Sequence, residues 1–241
     1  MSGAVEIKGL CFGYPDAGDV LADINLRIDG GSKVALIGPN GAGKSTLLLA
    51  MSMFVEAKGS IVIDGIEAVR KNTRDIRKVI GSVLQDPEEQ LFMPTVFDDV
   101  AFGPMNLNVG QEEVIRRTNE ALQRVGLAGL EKRPPHHLSA GQKRAAAIAT
   151  ILSMEPKVIT MDEPDTSLDP RSRKRLVELL RSLEQTLIIA TCNMDFAARV
   201  CERAVLMDGG RIIADGNARQ VMADADLMEA HGLETPKAFG D

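Results

Sequence analysis

Two short stretches carry residue types that fit phosphate chemistry. Residues 38–46 read GPNGAGKST, which matches G-x-x-x-x-G-K-S/T at Gly38, Gly43, Lys44 and Ser45. Such a loop must wrap phosphate oxygens with backbone N–H groups, so glycines remove the side chains that would block the approach. Lys44 would place a positive charge on the β- and γ-phosphates, and the Ser45 hydroxyl would ligate Mg2+. A helix that opens here points its positive dipole end at the same anion. The second stretch, KVITMDEP at 157–164, is an apolar run ending in two acids. Asp162 is placed to reach Mg2+. Glu163, directed to the other side of the strand, would polarise an attacking water. Alone, this acid pair reads equally well as a surface turn.

These side chains need elements to hold them. The apolar run 34–37 predicts a buried strand into the glycine loop, and 47–54 predicts a helix out of it. Strands are expected over 60–64, 79–84, 158–161 and 187–190. Helices are expected over 111–125, 140–154 and 171–183. Two strands joined by a turn at 15–18 open the chain, and a hairpin around Asp208-Gly209-Gly210 closes the last sheet. Strands alternating with helices imply a mainly parallel sheet. The last 25 residues carry no pattern that we read.

Composition bounds the partners. The 241 residues suit one large domain, or one with a small appendage, and a 44% hydrophobic fraction suffices for a core. The net charge of −6 argues against a nucleic-acid surface. The basic runs at 71–78 and 171–175 read as solvated helix faces. No apolar stretch reaches the roughly 18 to 20 residues that cross a bilayer. The N-terminus lacks a signal pattern, so a cytoplasmic location is expected. Cys11, Cys192 and Cys201 are scattered, an intracellular thiol pattern rather than a disulfide or zinc framework.

Further motifs make the chain resemble the ABC ATPase superfamily over nearly its whole length. Leu138 to Gln142 reads LSAGQ, close to the family signature LSGGQ. Gln85 ends an apolar strand where the family has its Q-loop glutamine, Ser167-Leu168-Asp169 matches the D-loop, and Tyr14 stands where an aromatic stacks on adenine. Singly, each has an ordinary alternative: Ser139 as a helix N-cap, Tyr14 as a core aromatic, Gln85 as a loop amide. The stretch after Gln85, DPEEQLFMPTVFDDVAFGP, resembles the ATPase subunits of energy-coupling-factor importers, which serve cobalt, nickel and vitamins.

The resemblance implies an α/β P-loop ABC ATPase core with a mainly parallel sheet, an N-terminal antiparallel β subdomain and an inserted helical subdomain. The core would take 1–86 and 155–216, the helical subdomain about 87–154, and a tail about 217–241. It implies binding of ATP and Mg2+ by Tyr14, by Gly38, Pro39, Asn40, Gly41, Ala42, Gly43, Lys44, Ser45 and Thr46, and, across a dimer interface, by Ser139, Ala140, Gly141, Gln142 and Asp169. Ser45, Gln85 and Asp162 would hold the metal. Glu163, Gln85 and Lys44 would serve hydrolysis. The implied partners are a second ATPase subunit, identical or different, and an integral membrane transporter subunit received by residues 85–104, with no nucleic acid. That would place the chain peripherally on the inner face of the cell membrane.

Two positions depart from the family pattern. Where it has Thr-His-Asp, this chain has Thr191, Cys192 and Asn193, and a thiol is a weaker donor than imidazole. Cys192 is therefore expected to slow hydrolysis, or to mark a regulatory subunit of a heteromeric transporter, unless other groups position the water. No His or Lys flanks it in sequence to activate the thiol. Ala140 replaces glycine, which would be strained if the position needs a positive φ.

Overall fold

The computed structural model describes residues 3–15 and 18–237. Asp16 and Ala17, the centre of the expected first turn, lie outside the described residues. The chain opens with β1 (Val5–Tyr14) and β2 (Gly18–Ile28), paired antiparallel. β1 also pairs with β4 (Lys58–Ile63), which pairs with β5 (Ile66–Glu67), giving a four-stranded antiparallel sheet.

The second sheet is formed by β3 (Lys33–Ile37), β6 (Ile80–Val83), β7 (Val158–Asp162), β8 (Thr186–Ala190), β9 (Arg203–Asp208) and β10 (Arg211–Asn217), in the order β10-β9-β3-β8-β7-β6. All its pairings are parallel except the β9–β10 hairpin. Its central strands are apolar almost throughout and buried. A parallel sheet covered on both faces demands this. The expected architecture of a mainly parallel sheet beside an antiparallel one is what the fold shows.

Helices cover the parallel sheet and extend beyond it. α1 (Lys44–Met51) follows the glycine loop, and α2 (Thr73–Val79) precedes β6. α3 (Val96–Asn106), α4 (Gln111–Arg124) and α5 (Ala140–Leu152) pack on one another. α6 (Pro170–Ser182) and α7 (Met194–Val200) follow β7 and β8, and α8 (Ala218–Ala223) and α9 (Ala225–Ala230) end the fold. Among the described residues no helix is long and apolar enough to cross a membrane.

Several boundaries differ from expectation. α1 starts earlier than 47 and stops at Met51, because Met53 adopts φ 59° and the Phe54 N–H turns back to the Leu49 carbonyl. Val79 belongs to α2, whose last turn places Arg77 and Lys78 on the negative end of its dipole. The tail is not featureless. Ala218, Val221, Met222 and Met228 are buried in the main core, Met222 and Met228 completely. Short helices of mixed polarity hide this in sequence, since two turns show too little periodicity to read.

Candidate functional site

Topology gathers the chemistry on one edge. β3, β8, β7 and β6 are parallel, so their C-terminal ends lie side by side. Ligands of open α/β sheets bind at such edges. The chain leaves β3 into Gly38, β8 toward Cys192, β7 into Glu163, and β6 toward Gln85.

Two glycines of the loop leave no room for a side chain. A Cβ on Gly38, at φ 149°, would stand 2.0 Å from the Met207 carbonyl oxygen, and one on Gly43, at φ 97°, 2.8 Å from that of Val20. Gly43 starts α1 without any side-chain cap, and the first turn of α1 has no acid. By contrast α3, α5 and α6 are capped by Thr95, Ser139 and Asp169. The first N–H groups of α1 thus meet no capping side chain, the arrangement that suits an anion. Lys44 is buried, and its ammonium donates to the Gly38 and Pro39 carbonyls at 2.7 and 2.9 Å. A cavity of about 190 Å3 is lined by residues 40–46 together with Val20, Gln85 and Glu163.

The two acids after β7 diverge. Asp162 faces a second cavity, shared with Ser45, Gln85, Ser82 and Thr160. Its Oδ1 is buried without a hydrogen-bond partner. Burial raises its pKa, opposed by the Ser45 hydroxyl and the charges of Lys44 and Arg144. An orphaned carboxylate oxygen beside a hydroxyl and an amide is a fitting oxygen-donor set for Mg2+. Glu163 sits at φ 43°, a conformation that costs a non-glycine residue of order 1–3 kcal/mol and is found at functional sites. Its Oε1 accepts the Cys192 N–H at 2.9 Å.

The Cys192 thiol lies 3.5 Å from Lys44 Nζ, 3.4 Å from Asn40 Oδ1 and 3.7 Å from the Gly38 carbonyl. Sequence adjacency missed that lysine. Even so, burial and the neighbouring Glu163 carboxylate raise the thiol's pKa against the opposing pull of Lys44, so the group stays protonated near neutral pH. Asp165, which sequence reasoning missed, is buried and holds this segment. It accepts from Thr191 Oγ1 at 3.1 Å and from Asn193 Nδ2 at 2.7 Å. The signal available was an acid in a Pro-containing loop beside Glu163, which is too common to single out.

The remaining expected residues lie apart. Tyr14 ends β1, 38% exposed, its ring edge-on to Phe12 at 4.9 Å rather than in the core. Ser139 caps α5 in a reciprocal box with Gln142, accepting its N–H at 3.3 Å while Gln142 Oε1 accepts the Ser139 N–H at 3.0 Å. Ala140 is the first helical residue and has no positive φ, so the suspected strain does not exist. At Gly141 a Cβ would meet Ser172 Oγ of α6 at 2.5 Å. Asp169 caps α6, accepting from the N–H groups of Arg171 and Ser172 and from the Ser172 hydroxyl. Residues 139–142 are absent from the walls of the cavity that the glycine loop lines.

Comparison with known proteins places the fold and the family. The profile of the family described as ABC transporter matches residues 21–166. The energy-coupling factor transporter ATP-binding protein EcfA of Carboxydothermus hydrogenoformans is 42% identical over 248 residues, covering 100% of this chain and 92% of that protein. EcfA of Methanocaldococcus jannaschii is 43% identical over 239 residues, covering 97% and 86%. The structure of cbiO1 from Clostridium perfringens, described as part of the ABC transporter complex cbiONQ, superposes with a TM-score of 0.83 at 37% identity, covering 95% of this chain and 94% of that one. The chain belongs to the ABC transporter family, as an ATP-binding subunit of the energy-coupling factor type.

Proposed function

We propose that this chain hydrolyses Mg-ATP as one half of an ATPase dimer and so energises import of a small solute through a separate membrane subunit. The observation that carries the reading is the convergence of Lys44, Ser45, Asp162, Glu163 and Gln85 around one phosphate-sized loop, from three different strand ends. The loop amides and Lys44 would bind the phosphates. Ser45 and Asp162 would hold Mg2+, with Gln85 beside them, and the ion would offset phosphate charge there. Glu163 would accept a proton from the attacking water.

The separation of the 139–142 turn from its own loop supports a sandwich of two subunits, in which Ser139 and the Gly141 amide meet the nucleotide of a second copy or a related subunit. ATP would then join the pair and hydrolysis release it. Phe92 and Met105, each 63% exposed, and Phe102, 44% exposed, lie on the 85–105 surface. The rings of Phe92 and Phe102 pack at 5.1 Å. This apolar patch suits a membrane subunit's contact, which would hold the chain at the inner membrane face. The stretch after Gln85, in its resemblance to energy-coupling-factor importers, favours a cobalt or nickel ion as solute, with a vitamin second, and the likeness to a subunit of the ABC transporter complex cbiONQ supports a partner assembly.

A second reading, a slow or regulatory subunit, is favoured by a weak-donor thiol at position 192, 3.5 Å from Lys44 Nζ. Mg-dependent ATP turnover tests the first. Glu163→Gln keeps an acceptor for the Cys192 N–H, and is expected to lower turnover at least about 100-fold while ATP binding persists. A wild-type chain that binds ATP without turning it over would replace the first reading by the second.

A further inference from the structure

Arg144 lies in the second turn of α5 and is 4% exposed. Its Nη1 donates to the Leu84 carbonyl and its Nη2 to the Gln85 carbonyl, both at 2.7 Å, while Nε has no partner. Both bonds end on neutral oxygens. The carboxylates of Asp86, Asp165 and Asp162 act on it only through the longer-range field. A buried cation so held is seldom an efficient source of stability, since apolar side chains of similar volume often do as well. Its geometry offers something else. A planar fork on two consecutive carbonyls fixes the orientation of the peptide that leads into Gln85.

Other ties run parallel to this one. The Leu84 N–H donates to Gln90 Oε1 at 3.2 Å, and Gln90 Nε2 donates to the Ala147 carbonyl at 2.9 Å and to Thr150 Oγ1 at 2.7 Å. Lys143 pairs with Glu88. Residues 84–90 are therefore fastened along α5, whose first turn is the capping box of Ser139 and Gln142. Five residues at about 1.5 Å rise separate Ser139 from Arg144, roughly 7.5 Å of rigid helix.

We propose that Arg144 is a positioning residue: it joins the 139–142 turn, through α5, to the peptide that aims Gln85 at Ser45 and Asp162. A displacement of that turn by a partner subunit is then delivered at Gln85 without a flexible link. The assignment rests on the ATPase reading above, but part of its test does not depend on turnover.

The test compares wild type with Arg144→Lys, which keeps the charge but cannot span both carbonyls in a planar fork. Gln90→Ala, which cuts a second tie, serves if Arg144→Lys does not fold. Arg144→Lys is expected to lower kcat about tenfold with ATP affinity, measured by a fluorescent ATP analogue, unchanged. The double variant Gln85→Ala/Arg144→Lys should be no slower than Gln85→Ala alone, because Arg144 acts through Gln85. Losses that multiply, or a wild-type kcat in Arg144→Lys, overturn the assignment. Hydrogen exchange of the 84–90 amides should quicken in Arg144→Lys, with or without ATP, while α1 is unaffected. Unchanged exchange sinks the tether even in an active enzyme. Quickened exchange in Arg144→Lys, when the wild type itself lacks turnover, keeps the tether and overturns the ATPase reading instead.

Discussion

Cys192 is the side chain whose chemistry departs furthest from its surroundings. It stands among Lys44, Asn40 and Glu163, where the proposed function puts the terminal phosphate, and it offers a thiol, a weak donor. Removal of one oriented donor from such a site costs about 2–4 kcal/mol in barrier height. Cys192→His is therefore expected to raise Mg-ATP turnover about tenfold or more, measured beside wild type at saturating ATP. Equal rates would mean that other groups already orient the phosphate and water. The pKa of Cys192 is raised above its ordinary value, so its neutral form persists as pH rises through the usual thiol range. A turnover profile between roughly pH 6 and 8 should show no limb that disappears in Cys192→Ala, since the thiol does not titrate there.

At the scale of elements, the contrast between α1 and α5 is instructive. α1 leaves its N-terminus uncapped at Gly43, while α5 satisfies its own with Ser139 and Gln142. The first is free to bind an anion at the cost of some helix stability; the second is rigid before any partner arrives. Ser139→Ala should cost about 1 kcal/mol, a fall in Tm of roughly 2–4 °C for a domain of this size. A thermal melt without nucleotide isolates this structural loss. A further loss of ATP-dependent association in the same variant would belong to the partner's nucleotide, and an unchanged Tm would show that the box is not formed in solution.

For the whole molecule, the C-terminal helices complete the core rather than trail from it. Met222 and Met228 are fully buried in the same cluster as the sheet residues Ile159, Leu187 and Leu206. Met222→Ala is expected to destabilise the chain by about 2–5 kcal/mol, visible as a lowered midpoint in urea. A change below about 0.5 kcal/mol would show that α8 is detachable. The same scale explains why the site exists. β3, β8, β7 and β6 are far apart in the chain, and only their side-by-side alignment brings Lys44, Cys192, Glu163 and Gln85 to one edge.

Local chemistry was legible in the residues themselves. The spacing of Gly38, Gly43, Lys44 and Ser45 predicts a phosphate loop, because phosphate wrapping tolerates few other residues there. The continuous apolar runs at 158–161 and 187–190 state buried parallel strands, because such strands have no solvent face. What tertiary structure decided is contact between distant parts. Lys44 beside Cys192, Asp165 bracing Thr191 and Asn193, and Arg144 gripping Leu84 and Gln85 join residues distant in sequence, and no local pattern encodes them. The helical φ of Ala140 and the burial of Met222 and Met228 were settled in the same way. A residue's backbone angle and exposure depend on what the rest of the chain packs against it, and that is fixed only when the whole core forms.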